Sequence, residues 1–150
     1  MSDRVVIGVG NSFRRDDGVG LAVVEEVAER HLPGVRVIAT TGEPGALLDA
    51  WEGADLAVVV DAAMGKGSSP GQIRRWTPDE NQASGAVSSH AIGIPQAFAL
   101  GEALAQLPHR LVVLSVGVVD AAHGPGLTPA VAAVVPAVVD AVLAELDGRG

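Results

Sequence analysis

The sequence predicts an α/β protein, a three-layer α/β/α sandwich around a central, mostly parallel sheet of five strands. Strand-like and helix-like segments alternate along the chain, as they do where helices cover a parallel sheet on both faces. Three of the strand-like runs are almost continuously apolar, which is typical of strands buried on both faces. The chain has 150 residues, 48% of them hydrophobic, which is enough for one core. We therefore predict a single domain over residues 1–150.

Five runs rich in β-branched residues, each bounded by glycine, proline or polar clusters, predict the strands. They are Val5–Val9, Val35–Ile38, Leu56–Val60, Gln72–Trp76 and Leu111–Val116. The second and fourth runs carry arginines and are predicted at the edges of the sheet. The first, third and fifth are predicted at its buried centre.

Helices are predicted between the strands. Val19, Val23 and Val27 recur at four-residue spacing, which predicts an amphipathic helix that ends near Pro33. A threonine followed by a proline supplies an N-cap and a first-turn residue for the last helix. The remaining helices are predicted at 45–52, at 93–106 and at 128–146, the last one bent or divided at Pro136.

Two longer segments, Met64–Gly71 and Thr77–Ser89, are predicted to be irregular. The first is rich in glycine and serine, and the second is polar with few hydrophobic residues. Loops of this length either contact a substrate or link elements across the surface, and the sequence leaves both interpretations open.

Composition excludes several classes of function. Ten basic and eighteen acidic residues give a net charge of −8, and the basic residues are scattered, so the basic patch of a nucleic-acid-binding protein is missing. The absence of cysteine removes thiol catalysis, disulfides and thiolate metal sites, and leaves oxygen and nitrogen ligands for any metal. It also favours a reducing compartment, so we predict a cytoplasmic protein.

The sequence predicts no membrane partner. A strand-like run follows Met1–Arg4 directly, without the apolar segment and cleavage site of a secretory signal. The longest apolar region, Ala130–Val139, contains Pro136 and is shorter than the roughly 18 residues that a membrane span needs.

Three places in the sequence offer candidate metal ligands: the adjacent pair Asp16 and Asp17, then Asp61, then His90. Asp16 and Asp17 lie in a glycine-rich stretch, Gly8–Gly20, after the first predicted strand. Asp61 ends the third strand-like run, and His90 closes a serine-rich loop before a predicted helix. Because open α/β sheets bind ligands at the carboxyl ends of their strands, we expect these side chains to share that edge. Two carboxylates and an imidazole suit a divalent first-row metal with open coordination positions, and their spacing does not distinguish nickel, zinc and manganese.

Each of these residues also has a simpler structural interpretation. Carboxylates such as Asp16 and Asp17 stabilise the first turn of a following helix by about 0.3–1 kcal/mol each. Asp61 has the same interpretation as a cap or turn residue, and a single histidine such as His90 is more often a surface residue than a ligand.

Other catalytic signatures are missing from the sequence. The dinucleotide fingerprint requires a third glycine where this chain has Phe13. The nearest match to a nucleophile elbow, Val113–Gly117, lacks the first glycine, and the chain has neither an H-E-x-x-H helix nor a P-loop.

Taken together, several motifs resemble the hydrogenase maturation proteases, the endopeptidases that trim the C-terminal tail of the large subunit of nickel–iron hydrogenase after metal insertion. The resemblance spans almost the whole chain. Its motifs are Gly8–Asn11, Asp16–Gly20, Val60–Ala62, Pro70–Gly71, Ser89–His90 with Gly93, and Gly126–Pro129.

The resemblance implies a set of site residues. Asp17, Asp61 and His90 correspond to the positions that bind nickel in the family, and they are predicted to serve as both the metal ligands and the catalytic residues. Many relatives have glutamate at the position of Asp17, and Asp16 is adjacent to it. Several relatives carry an acidic residue in the loop that corresponds to Thr40–Gly45, where this chain instead has Glu43.

The resemblance also implies the activity. The protein is expected to remove the C-terminal extension of a nickel-loaded hydrogenase large-subunit precursor, and the nickel is expected to arrive with that precursor. Two alternatives from other classes are a chaperone that inspects the nickel-loaded precursor without cutting it, and a metal-dependent hydrolase of small molecules. The protein is expected to be a monomer or a weak homodimer.

Overall fold

Six strands form one sheet in the computed structural model. The model describes residues 3–10, 18–64, 69–78, 87–88, 93–118 and 126–148. In chain order the strands are β1 (Arg4–Val9), β2 (Val35–Thr40), β3 (Leu56–Met64), β4 (Ile73–Trp76), β5 (Val87–Ser88) and β6 (Arg110–Gly117).

The main path of the sheet has the order β2-β1-β3-β6-β4. β1, β2, β3 and β6 are parallel to their neighbours, whereas β4 runs antiparallel to β6. The predicted five-stranded, mostly parallel sheet is confirmed. The three apolar runs lie at the centre, and β2 and β4, which carry arginines within the strand, lie at the edges, because a strand with a neighbour on one side only can point charged side chains at water.

β5 is a sixth strand that the sequence pattern did not predict. It pairs antiparallel with the end of β3, Ser88 with Ala63 and Val87 with Met64. The segment Thr77–Ser89 was expected to be irregular throughout, and this expectation is wrong for Val87 and Ser88. Two residues are too few for a two-residue periodicity to be visible, so only the pairing partner defines this strand.

Within the described ranges, five helices cover the two faces of the sheet. They are α1 (Val19–Glu29), α2 (Pro44–Trp51), α3 (Gly93–Leu104), α4 (Pro129–Ala132) and α5 (Val135–Leu146). Residues of α1, α4 and α5 form one apolar cluster with one face of the sheet. Residues of α2 and α3 form a second cluster with the other face. The three predicted layers are therefore present.

Two predicted helix boundaries can be compared with the structure. α1 ends at Glu29 rather than near Pro33, because His31 takes a positive φ of 48°, which a continuing right-handed helix does not allow. The predicted break in the last helix is confirmed. Pro136 lies in the first turn of α5, where a proline needs no N–H, and a turn at 133–134 separates α5 from α4.

Two glycines let α1 pack directly on the strand backbones. A Cβ at Gly8 would lie 2.4 Å from the carbonyl oxygen of Gly20, and a Cβ at Gly20 would lie 2.5 Å from the carbonyl oxygen of Val60. No side chain fits at either position without displacing backbone. The first turn of α1 is thereby held against β3 beside the residue that precedes Asp61.

The apolar C-terminal stretch Pro129–Leu146 is a pair of helices that pack on the sheet. Its 18 residues have a mean hydropathy of 1.9, so by length and composition it could cross a membrane, and 39% of it is buried in the structure. Val131, Val138 and Val142 are fully enclosed in the cluster under the sheet. Core packing therefore accounts for the apolar face of this segment.

Candidate active site

Asp61 is a fully buried carboxylate inside a strand, with a relative exposure of 0%. The sequence pattern placed it at the end of the third strand, and that boundary is wrong, since β3 continues to Met64. β6 keeps pairing with β3 as far as Ala63, and β5 pairs with its last two residues. An aspartate interrupts the apolar run, so the continuation of the strand is visible only in its pairing.

Asp61 lies where two central strands begin to separate. The last pair between β1 and β3 is Gly8 with Val60, whereas β3 and β6 remain paired through Asp61 with Ser115. The chain leaves β1 toward β2 on one side and leaves β3 toward β6 on the other. This reversal of direction opens a crevice at the carboxyl ends of the strands, where open α/β sheets bind their ligands.

The main chain holds the Asp61 carboxylate from one side. Its Oδ1 accepts a hydrogen bond of 2.8 Å from the N–H of Ala62. A charged group that is removed from water this completely is stable only where hydrogen bonds, an opposite charge or a metal compensate its lost hydration. Burial and a fixed orientation are the properties that a metal-binding or substrate-orienting carboxylate needs.

Side-chain alternation places Asp61 on the face of the sheet that α2 and α3 cover. Its neighbours Val58 and Val60 belong to the cluster on the opposite face, and Ala57 and Val59 to the cluster with α2 and α3. Because successive side chains of a strand point to opposite faces, Asp61 shares the face of Ala57 and Val59.

Ser115 and Trp76 border Asp61 on the same face. Ser115 is 4% exposed and pairs with Asp61 across the parallel ladder. The indole Nε1 of Trp76, on β4, donates a hydrogen bond of 2.8 Å to the Ser115 Oγ. The side of the site away from β1 is therefore a fixed wall, made by an edge strand and a buried hydroxyl.

Sequence reasoning missed this wall. It considered Ser115 only as part of an incomplete nucleophile elbow and Trp76 only as an apolar residue of an edge strand. Their link to Asp61 depends on the register of β3, β6 and β4, which no local pattern encodes. The one signal available in the sequence was Ser115, a polar residue in the otherwise apolar run of β6.

The other predicted ligands lie outside the described residues. These are Asp17, its neighbour Asp16, and His90. In the part of the chain that the structure describes, no group of three His, Cys, Asp or Glu side chains is arranged to hold a metal. Glu43 is described, and it is an exposed residue at the N-cap position of α2 that makes no side-chain capping hydrogen bond.

Described residues next to the other two predicted ligands nevertheless lie beside β3. Gly20 is three positions after Asp17, and it packs against the Val60 carbonyl. Ser88 is two positions before His90, and it pairs with Ala63. Both neighbours therefore contact β3 within two residues of Asp61.

Comparison with known proteins gives a consistent set of relatives. The family model described as hydrogenase maturation protease matches residues 21–145. The hydrogenase 2 maturation protease of Escherichia coli K12 is 30% identical over 152 aligned positions, which cover 97% of this chain and 92% of that protein. The hydrogenase expression/formation protein HupD of Rhodobacter capsulatus is also 30% identical, over 97% of this chain and 72% of that protein.

Solved structures agree with this result. The hydrogenase maturating endopeptidase HybD from E. coli superposes with a TM-score of 0.83 at 25% identity, covering 98% of this chain and 93% of that one. The [NiFe] hydrogenase maturation protease HybD from Thermococcus kodakarensis superposes with a TM-score of 0.73 at 22% identity, over 93% and 95% of the two chains. At 22% identity, the similarity to this second structure shows a shared fold and nothing about activity.

Proposed function

The chain belongs to the hydrogenase maturation protease family, and from that membership we propose that it is the endopeptidase that removes the C-terminal extension of a nickel-loaded large-subunit precursor. Family membership makes the protein a hydrolase that takes part in hydrogenase maturation. Our proposal goes beyond family membership in two respects: that the protein recognises nickel, and which residues do so.

The observation that carries the proposal is Asp61, a fully buried carboxylate at the point where β1 and β3 separate. Strand ladders and a main-chain hydrogen bond hold it in one orientation. A buried carboxylate with a fixed position beside an open crevice is suited to a ligand that enters from outside.

We propose that Asp17 and His90 complete the site with Asp61. Described neighbours of both residues contact β3 within two residues of Asp61, which supports this grouping. Carboxylate and imidazole ligands suit a divalent first-row metal, nickel among them. The chain has no cysteine, so it offers no thiolate in competition with the precursor.

In this proposal the nickel belongs to the substrate. A metal beside the scissile segment would polarise its carbonyl or lower the pKa of a bound water. The chain contributes orientation: Asp61 is held by β3 and β6, and the Trp76–Ser115 hydrogen bond keeps the adjoining wall in place. Cleavage would then occur only when a precursor brings its metal.

The test is a mass measurement on purified nickel-loaded precursor, incubated with and without the protein. Loss of a C-terminal peptide is the expected result. A stable complex with intact precursor would instead identify a chaperone that inspects the precursor. Tight metal binding by the isolated protein, with no effect on the precursor, would identify a metal-dependent hydrolase of small molecules.

A further inference from the structure

Three side chains from three neighbouring strands form a row on the face of Asp61. Asp61 of β3 pairs with Ser115 of β6, and Ser115 pairs with Arg74 of β4. Trp76 packs in the cluster on the α2–α3 face, and Ile73 packs against the cluster on the opposite face. Side-chain alternation therefore places Arg74 on the same face as Trp76, and so on the face of Asp61.

The row brings Arg74 close to Asp61. Neighbouring strands lie about 4.8 Å apart, so two spacings separate the two Cα atoms by about 10 Å. Asp61 is at the enclosed end of the row, and Arg74 is exposed at the edge of the sheet. A chain segment that reaches Asp61 from the β4 side would pass Arg74.

Arg74 makes no ion pair or side-chain hydrogen bond with any described residue, whereas several arginines elsewhere have clear partners. Arg75, next in sequence, pairs with the buried Glu145 of α5 on the opposite face. Arg36 pairs with Asp3, and the guanidinium of Arg4 donates to the carbonyls of Leu146 and Pro33. Among the residues that the structure describes, the exposed guanidinium of Arg74 therefore has no partner on the face of Asp61.

We propose that Arg74 is a substrate-binding residue that engages a carboxylate of the precursor next to the scissile segment. This inference rests on the proposed function. The chain carries a net charge of −8, which opposes the approach of an acidic substrate, and the exposed guanidinium of Arg74 provides local attraction for a carboxylate on the face of Asp61. Arginine matches a carboxylate with two parallel N–H···O bonds, so it fixes orientation as well as charge.

The experiment compares three variants with the wild-type protein in steady-state cleavage of purified nickel-loaded precursor. Arg74→Glu reverses the charge, and Arg74→Lys keeps the charge but loses the bidentate geometry. Arg110→Glu is the matched control, because Arg110 is also exposed and has no ion pair among the described residues, but it begins β6 and so lies at the amino ends of the parallel strands, away from Asp61. Circular dichroism and the melting temperature check that all variants fold.

The contact predicts a change in KM rather than in kcat. We expect Arg74→Glu to raise KM roughly tenfold with kcat within about twofold, and Arg74→Lys to give an intermediate KM. Arg110→Glu should change neither constant. Raising the salt from 50 to 500 mM, roughly a threefold shortening of the screening length, should raise the KM of the wild type more than that of Arg74→Glu.

The partner on the substrate is found by neutralising each acidic residue of the C-terminal extension and its flank in turn. One position should show coupling with Arg74→Glu in a double-mutant cycle. Equal KM values for Arg74→Glu and Arg110→Glu, or a fall in kcat alone, would overturn the inference.

The two proposals fail in distinguishable ways. If the wild type binds the precursor without cutting it, the proposed protease function fails. The dissociation constants of the same variants for the precursor then still test Arg74. Arg74→Glu should bind the precursor most weakly, with Arg74→Lys between it and the wild type. If the wild type cuts and Arg74→Glu cuts with an unchanged KM, only the inference about Arg74 fails.

Discussion

At the scale of single residues, Asp61 is a buried carboxylate whose surroundings fix its orientation. Its Oδ1 accepts a hydrogen bond from the N–H of Ala62. On one side, β3 is still paired with β6 at this position, Asp61 with Ser115. On the other side, the pairing of β3 with β1 has ended one residue earlier. The enclosed environment fixes the orientation of the side chain. The pairing of β1 with β3 ends at Val60, so Asp61 lies where the two strands begin to separate.

Asp61→Asn tests this residue. Asparagine keeps an oxygen that accepts the Ala62 N–H, and it has nearly the same volume, so the fold should remain, but the negative charge is lost. We expect cleavage of nickel-loaded precursor to fall by roughly 100-fold or more, the upper range for residues that support a metal, with little change in melting temperature. Mass spectrometry of the product measures the rate.

The control for this variant is Asp140→Asn, which removes one carboxylate from the exposed side of α5. It should cleave at the wild-type rate. Normal cleavage by Asp61→Asn, or an equal loss in both variants, would contradict the role assigned to Asp61.

At the scale of elements, the position of α1 depends on glycines at its contacts with the sheet. The carbonyl oxygens of Val60 and Val9 lie 2.5 and 2.7 Å from where a Cβ of Gly20 would stand. Backbone cannot move aside as a flexible side chain does, so the helix can approach β1 and β3 this closely only with glycine. The glycines that make the sequence motif recognisable thus have a packing role beside the site.

Gly20→Ala should therefore destabilise the protein by about 3 kcal/mol, at the upper end of overpacking effects. Gly45→Ala is the matched control, since nothing lies within 4 Å of its added Cβ and it is in a helix. That variant should be unchanged or about 0.5 kcal/mol more stable. Urea unfolding measures both, and equal midpoints for the two variants would contradict the packing argument.

The edge strand β4 is tied to β6 on one face of the sheet and to α5 on the other. Trp76 bonds to Ser115 on one face, and Arg75 pairs with Glu145 of α5 on the other. Glu145 is 3% exposed, whereas Arg75 is 42% exposed. A buried carboxylate that loses its partner is costly, although the exposed end of this pair moderates the effect through solvent screening.

Arg75→Met should lower the free energy of unfolding by about 2 kcal/mol, because it leaves Glu145 buried without its partner. The double variant Arg75→Met/Glu145→Met should recover most of that loss, since no uncompensated charge remains. Urea unfolding of the single and double variants makes the comparison. A double variant less stable than Arg75→Met would contradict this argument, because it would show that Glu145 stabilises the fold even without Arg75.

At the scale of the whole molecule, the sheet order creates a crevice whose described walls include one buried acidic residue. In the proposed mechanism the remaining charge of the site comes from the precursor's nickel, which makes tail removal a check on metal loading. In this proposal the fold contributes shape and orientation, and the precursor contributes the ion.

Removal of the nickel tests this division. Precursor prepared without nickel should remain intact, with a rate at least about 100-fold below that of loaded precursor, the scale expected when a metal's polarising role is lost. Reloading the same precursor with nickel should restore cleavage. Mass spectrometry follows the tail, and cleavage of nickel-free precursor at the normal rate would contradict the proposed recognition.

The sequence by itself determined the layers of this protein. Continuous apolar runs require burial on both faces, so β1, β3 and β6 had to be central, and the arginines of β2 and β4 had to reach water at the edges. Proline chemistry determined the break before α5. Asp61 was identified as a candidate ligand from its position after an apolar run, and the described structure puts it at the carboxyl half of the sheet.

Only the tertiary structure decided what surrounds Asp61. β3 continues beyond the aspartate because β6 and β5 pair with it, and β5 itself exists only through that pairing. Arg74 reaches the row of Asp61 through the registers of two ladders, one parallel and one antiparallel. Hydrophobic periodicity reports on which face of an element is buried, whereas register arises between segments that are distant in sequence, so it becomes visible only once the sheet is assembled.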